Sequence, residues 1–82
     1  MSGEVTVRWF GGAAEAAGAE EEAYPAGTLA AVLDAAVTRH GDPVARVLPQ
    51  CSVLVDGRNV TGEPVEVSAG SVVDVLPPFA GG

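Results

Sequence analysis

One segment of the chain, residues 29–37, has the spacing of a helix with a single apolar face. Its apolar side chains recur three or four positions apart, at Leu29, Val32, Leu33, Ala36 and Val37. Thr28 is suited to cap the start of this helix, and Gly41 is suited to end it. A one-sided helix is stable only when another layer covers its apolar face, so the segment predicts a helix packed against a sheet.

Strand patterns lie on both sides of the helix. Residues 5–10 alternate between two faces, so Trp9 and Phe10 point in opposite directions, and we expect one in the core and the other on an exposed apolar patch. Asp56-Gly57 follows a short β-branched run and predicts a hairpin. The predicted strands cover residues 5–10, 20–24, 52–55, 65–67 and 71–76, and short helical segments are predicted at 13–17 and 42–48.

This order predicts an α+β fold, a mixed sheet of about five strands with one main helix across one face. The strand at residues 20–24 is rich in acids and stops at Pro25, which suits a sheet edge. If the first and last strands pair in parallel, both lie in the middle of the sheet. Their apolar sequences agree with that position.

Length and charge limit the function. Eighty-two residues form one small domain and leave little room for a deep enzyme cleft. The net charge of −7 argues against binding nucleic acid and favours a basic protein partner. The four cationic residues are all arginines, so no lysine can form a Schiff base or an isopeptide-linked chain. Without a leader pattern or an 18-residue apolar run, we expect a cytoplasmic protein that binds no membrane.

Three other candidate groups receive structural interpretations. Cys51, the single cysteine, begins a predicted strand, where a small buried side chain is expected. His40 lies at a helix end and suits the negative end of the helix dipole. The run at 20–22 resembles an acidic metal site, but neighbouring strand residues point to opposite faces, so we expect a solvated edge or a patch facing a partner.

The C-terminal segment carries the chemical signal. The predicted domain covers residues 1–76, and residues 77–82 form an extended tail with the sequence Pro-Pro-Phe-Ala-Gly-Gly. Pro77 and Pro78 cannot donate ladder hydrogen bonds, so they end the last strand and project a tail on the order of 18 to 20 Å long. Gly81 and Gly82 leave the carboxylate free of side-chain bulk, so it can enter a narrow channel. Adenylation by ATP would activate this carboxylate, and a persulfide or sulfide would then convert it to a thiocarboxylate.

This ending resembles the Pro-Pro-x-x-Gly-Gly terminus of the MoaD branch of the MoaD/ThiS family of ubiquitin-like sulfur carriers. The opening Val-Thr-Val-Arg-Trp-Phe strand, the Thr-Leu-Ala-Ala-Val-Leu helix start, the Val-Asp-Gly turn and the Ala-Gly-Ser-Val-Val-Asp-Val-Leu-Pro-Pro stretch extend the resemblance over nearly the whole chain. Phe79 is bulkier than the residue usual at that position in the family.

The resemblance implies a β-grasp fold and a carrier that is not an enzyme alone and binds no metal or cofactor itself. Gly82 would be adenylated by an E1-like enzyme of the MoeB type, which uses ATP, and then thiocarboxylated. A desulfurase or rhodanese would supply the sulfur. The large molybdopterin synthase subunit, of the MoaE type, would receive the tail, with Pro77, Pro78, Phe79, Ala80 and Gly81 as its contact residues.

Two alternatives stay open. The first is a carrier with the same chemistry that serves thiamine thiazole, cysteine or secondary-metabolite synthesis, although Pro77-Pro78 favours molybdopterin. The second is a ubiquitin-like binding module that carries no sulfur and whose terminal glycines are incidental. Blocking the C-terminus distinguishes the second alternative from either carrier, because only a carrier needs the free carboxylate.

Overall fold

The computed structural model describes residues 3–78. Seven strands lie in this part of the chain: β1 Glu4–Trp9, β2 Glu21–Pro25, β3 Gly27–Thr28, β4 Ser52–Val55, β5 Arg58–Asn59, β6 Glu66–Val67 and β7 Val72–Leu76. Its α-helices are α1 Gly11–Ala17, α2 Leu29–His40 and α3 Asp42–Val47, and a 3-10 turn, Leu48–Gln50, follows α3. No helix within residues 3–78 is long and apolar enough to cross a membrane.

Five strands form one mixed sheet in the order β2-β1-β7-β4-β5. Strand β7 is central and pairs in parallel with β1, with Thr6 opposite Val72 and Trp9 opposite Val75. The other pairings in this sheet are antiparallel. The predicted parallel pairing of the first and last strands is therefore confirmed, as is the edge position of β2.

Helix α2 packs on one face of the sheet. Thr28 caps it as predicted, because its Oγ1 accepts a hydrogen bond of 3.1 Å from the backbone N–H of Ala31. The predicted apolar face is confirmed in its centre, where Leu29, Val32 and Ala36 are buried. Its remaining members, Leu33 and Val37, are only half-buried, because the predicted stripe is wider than the contact with the sheet.

The sheet contributes most of the remaining core through alternate side chains. Val5, Val7 and Trp9 of β1 are buried, as are Val73 and Val75 of β7. Trp9 is 2% exposed and Phe10 is 39% exposed, so the expected division between a core aromatic and a surface aromatic is confirmed.

Two short elements differ from the sequence prediction. Helix α1 begins at Gly11, two residues before the predicted turn at 13–17. Residues 66–67 pair with Gly27–Thr28 in a separate two-stranded sheet and do not join the main one. The hairpin predicted at Asp56-Gly57 is confirmed, since Arg58–Asn59 after the turn pair back onto β4. Pairings of two residues are too short to produce a periodic sequence pattern.

Candidate functional site

The root of the predicted tail lies beside the start of α1. Strand β7 ends at Leu76, Pro77 is half-buried and Pro78 is exposed. A Cβ placed on Gly11 would lie 3.2 Å from Cγ of Pro77, so the two residues are in close contact. Gly11 also has a φ of +50°, which favours glycine at this position. The backbone before the tail is therefore fixed against the body of the domain.

Phe10 extends the pairing between β1 and β7 to this point. Its backbone N–H donates a hydrogen bond of 3.1 Å to the carbonyl of Val75. The structure thus brings predicted tail residues Pro77 and Pro78 next to Phe10 and Gly11. The other predicted site residues, Phe79, Ala80, Gly81 and Gly82, lie outside the described residues.

The sheet face that points away from α2 carries a mixed apolar and charged surface, here called the open face. Among the residues that alternation and strand register assign to it are Thr6, Arg8, Phe10, Glu21, Ala23, Ser52, Leu54, Val72, Asp74 and Leu76. All of these are exposed or half-buried. The open face surrounds the end of the strand from which the tail leaves.

An ion pair between the two central strands crosses the open face. Arg8 donates from Nε to Oδ1 of Asp74 at 2.7 Å and from Nη2 to Oδ2 at 3.0 Å. These hydrogen bonds, together with the charge of Asp74, raise the pKa of Arg8. The guanidinium carbon of Arg8 also lies 5.7 Å from the centre of the Phe10 ring. The side chain of Arg8 is thus held in one orientation beside Phe10.

An open groove of about 410 Å³ lies next to this ion pair. It is lined by Arg8, Trp9, Phe10, Gly11, Ala14, Glu20 and Glu21. We call it the β1–α1 groove. Sequence reasoning anticipated an exposed aromatic on strand one but not a groove, because the groove depends on how α1 turns back over the end of the strand.

Glu22 contradicts the expectation that the whole acidic run faces solvent or a partner. It lies opposite Val7 in the β1–β2 register and therefore on the core side of the sheet. Its Oε1 accepts hydrogen bonds from Trp9 Nε1 at 3.0 Å, Tyr24 OH at 2.7 Å and His40 Nε2 at 2.8 Å. Glu20 and Glu21 are exposed, as expected. The alternation of side chains along a strand could have predicted the position of Glu22, since it places Glu22 and Glu21 on opposite faces of the sheet.

This Glu22 cluster affects two ionisable groups. Burial opposes ionisation of Glu22, but hydrogen bonds from His40, Tyr24 and Trp9 hold its pKa below the usual value of 4.5. Burial, and then the hydrogen bond to Glu22, raise the pKa of Tyr24 to about 12. His40 therefore has a specific partner in β2 in addition to its predicted place at the helix end.

Cys51 is buried, as its position in the sequence predicted. Its Sγ donates a hydrogen bond of 3.2 Å to the carbonyl of Val47, and burial raises the pKa of the thiol. Both features disfavour the reactive thiolate. Among residues 3–78, no group of three or more His, Cys, Asp or Glu side chains is arranged to hold a metal ion.

The family follows from a match that covers nearly the whole chain. The sequence model of the ThiS family matches residues 7–82. The chain belongs to the ThiS family. This is a family of ubiquitin-like sulfur carriers of the ThiS/MoaD type, as the resemblance of the C-terminal segment indicated. A search of curated proteins gave no match.

Solved structures resemble the chain along its length. SAMP1 from Haloferax volcanii is 27% identical, with a TM-score of 0.79, and the match covers 98% of this chain and 100% of that one. Small archaeal modifier protein 1 from Methanosarcina acetivorans is 21% identical, with a TM-score of 0.85 and coverage of 100% and 99%. In the complex of subunits 1 and 2 of molybdopterin-converting factor from Helicobacter pylori, the matching chain is 24% identical, with a TM-score of 0.70 and coverage of 96% and 99%. These ubiquitin-like neighbours confirm the predicted β-grasp fold.

Proposed function

We propose that this ThiS-family protein carries sulfur as a thiocarboxylate on Gly82 and donates it in molybdopterin synthesis. The family match carries the proposal, because it extends through residues 77–82 and so includes the tail. In this proposal an E1-like enzyme transfers AMP from ATP to the Gly82 carboxylate and releases pyrophosphate. A persulfide from a desulfurase or rhodanese then displaces AMP and forms an acyl disulfide. A second thiol attacks the donor enzyme's sulfur in that acyl disulfide, which releases the thiocarboxylate and leaves a new disulfide between the two thiols.

The molybdopterin assignment has two supports. Pro77-Pro78 belongs to the MoaD-like ending, and the Helicobacter pylori neighbour is subunit 1 of a molybdopterin-converting factor in complex with subunit 2. By analogy, the proposed acceptor complex contains a large synthase subunit that receives the tail. The carrier then acts as the non-catalytic, sulfur-donating subunit, because the groups that transfer sulfur to the pterin precursor come from its partner.

The geometry at the tail root suits such a carrier. Pro77 packs against Gly11, while Pro78 is exposed. Pro77 and Pro78 therefore lie at the edge of the open face, where a partner can contact the domain and receive the tail at the same time. Phe10, the exposed aromatic of this region, is an apolar anchor for that contact.

The first experiment measures loading by intact-mass spectrometry. The protein is incubated with ATP, an E1-like activating enzyme and a desulfurase with its sulfur substrate. We expect a gain of about 16 Da, since one carboxylate oxygen is replaced by sulfur, and fragment masses should place it at Gly82. Deleting Gly82, appending a residue after it, or replacing Gly81 with valine should abolish the gain. Circular dichroism of each variant should match wild type.

Loading of the truncated or extended protein to the wild-type level would reject the proposal. The pathway is tested separately by supplying the loaded protein to a large molybdopterin synthase subunit with its pterin precursor. Production of molybdopterin supports the assignment. Efficient loading without transfer to this acceptor would favour a carrier for thiazole, cysteine or secondary-metabolite synthesis.

A second candidate function is protein modification, because two structural neighbours are named as modifier proteins and one of them is 27% identical. In that case the adenylated Gly82 would be transferred to a lysine amine of a target protein and AMP would be released. The chain has no lysine, so it cannot be its own acceptor in this reaction. Loading without a sulfur source but with a lysine-containing target would distinguish the two functions, since a conjugate mass appears only for a modifier.

A further inference from the structure

The β1–α1 groove has an apolar floor beside the root of the tail. Its lining includes Phe10 and Ala14, and Phe10 is the large hydrophobic side chain that residues 3–78 leave exposed. Gly11 also lines the groove, and it is the residue that Pro77 contacts. An apolar side chain that enters the groove would therefore cover Phe10 and remove apolar surface from water.

The chain itself carries an apolar side chain close to this groove. Phe79 follows Pro77 by two positions, and it is the one aromatic residue among residues 77–82. Two successive residues span at most about 7 Å, so the Cα of Phe79 stays within that distance of the Cα of Pro77. Phe79 lies outside the described residues. Its covalent link to Pro77 keeps it near the groove whatever conformation the tail adopts.

The short link favours Phe79 over a side chain supplied by a separate molecule. Joining two groups through a short segment makes their contact intramolecular, with an effective concentration on the order of millimolar. Gly11 contacts Pro77 and also lines the groove, and it has no side chain to obstruct the path between them. A phenylalanine two residues beyond Pro77 is therefore a suitable occupant of the groove.

Charge determines which part of the tail suits the groove. Glu20 and Glu21 are exposed at its rim, and neither forms an ion pair with any other of residues 3–78. Arg8, the cation of the lining, is already held by both carboxylate oxygens of Asp74. The rim therefore repels the C-terminal carboxylate, whereas an uncharged aromatic ring meets no such penalty.

We propose that in the free protein the ring of Phe79 packs in the β1–α1 groove against Phe10 and Ala14. Residues 80–82 then lead away from the acidic rim, and the first half of the tail rests on its own domain. The contact is autoinhibitory, because a partner that receives the tail must first displace Phe79 and thereby expose Phe10. It does not depend on whether Gly82 carries sulfur, since it concerns only the position of the tail.

The test is nuclear magnetic resonance of the isotope-labelled full chain. We expect nuclear Overhauser contacts between the Phe79 ring and the Ala14 methyl group, and these should weaken in Phe10→Ala. Phe79→Ala removes the ring without moving the terminal carboxylate, so the resonances of Gly11 and Ala14 should shift. The matched control, Gly81→Ala, keeps the ring and should leave those resonances at their wild-type positions. Circular dichroism should show the same fold for every variant.

Absence of contacts between Phe79 and Ala14 in the wild-type protein would overturn the proposal. Identical Gly11 and Ala14 resonances in Phe79→Ala and wild type would do the same. A dilution series separates a contact within one molecule from a contact between two copies. The proposed contact should persist on dilution, whereas its loss would assign the groove to Phe79 of a second copy and reject the intramolecular contact.

Discussion

His40, the last residue of α2, donates a hydrogen bond of 2.8 Å to Oε1 of Glu22 in edge strand β2. The same oxygen accepts from Trp9 and Tyr24, so one carboxylate connects the helix end, the strand edge and the core. The side chain of Glu22 is 9% exposed. The side chains of Trp9, Tyr24 and His40 therefore depend on a single buried acceptor.

Replacing Glu22 with glutamine should lower the free energy of unfolding at neutral pH by about 1 to 3 kcal/mol, because the hydrogen bonds lose their charged acceptor. Since the folded pKa of Glu22 lies below the usual 4.5, ionisation stabilises the folded protein above that pH. This contribution is lost as the pH falls through the lowered folded pKa. Urea titrations from neutral to acid pH should show the wild-type and variant stabilities converging. Glu66→Gln, on an exposed strand position, is the control and should follow wild type throughout.

The single tyrosine, Tyr24, gives a spectroscopic test of the same cluster. Its ultraviolet absorbance should titrate near the pKa of about 12 in the folded protein, against an ordinary value of 10.0. The raised pKa means that stability associated with protonated Tyr24 is present below pH 10.0 and is lost as the pH rises toward about 12. In the Glu22→Gln variant the absorbance midpoint should move down toward 10.0. An unchanged midpoint would show that the hydrogen bond to Glu22 does not affect Tyr24.

Helix α2 offers a graded test of burial. Val32 is 1% exposed, and Val32→Ala should reduce the free energy of unfolding by about 2 kcal/mol. Leu33 is only half-buried, so Leu33→Ala should cost less than the roughly 2 to 5 kcal/mol typical of a fully buried leucine. Chemical denaturation of both variants provides the comparison. A larger loss for Leu33 than for a fully buried leucine would contradict the position of α2 on the sheet.

Gly11 and Gly12 form a matched pair at the start of α1. Gly11→Ala places a Cβ at 3.2 Å from Pro77 in a backbone with φ of +50°, so it should destabilise the domain by about 1 to 2 kcal/mol and slow sulfur loading. A Cβ on Gly12 meets nothing within 4 Å, so Gly12→Ala should leave loading unchanged and raise stability slightly. Thermal melts and intact masses measure both effects. Equal behaviour of the two variants would argue against the contact between Gly11 and the tail root.

Cys51→Ser should leave the yield of thiocarboxylate unchanged. Burial raises the pKa of the Cys51 thiol, which disfavours the thiolate needed to relay sulfur. Serine also preserves a hydrogen-bond donor toward the carbonyl of Val47. Intact-mass measurements of variant and wild type, under the same loading conditions, decide the point. Loss of loading in a folded variant would reveal a relay role for Cys51.

The sequence predicted the main elements because each follows a long enough pattern. The helix at Leu29–His40 and the strands around Val7 and Val75 extend over several periods, so burial of one face fixes both type and orientation. The two-residue pairing of β3 with β6 has no such pattern and was missed. The position of the C-terminal tail residues stays a prediction, since they lie outside the described residues.

The candidate site was less predictable than the fold. Phe10 was anticipated as one of two aromatics of which one would be exposed, because strand alternation separates it from Trp9. The β1–α1 groove and the contact between Gly11 and Pro77 join residues far apart in the chain, and no local pattern records such contacts. Glu22 was misplaced because the acidic run was interpreted as one surface, whereas register divides it between two.

The pairing of β1 with β7 also determines the order in which the domain can form. Arg8 and Asp74, which join these strands, are 66 positions apart, so the centre of the sheet depends on one of the longest loop closures the chain allows. During synthesis β1 cannot pair with β7, its neighbour at the centre of the sheet, until residues 72–76 have been made. A chain cut short before β7 loses the middle of its sheet, and with it the strand that leads to the tail. Folding thus acts as a check on completeness, since a domain with an intact sheet has been made at least as far as the root of its tail.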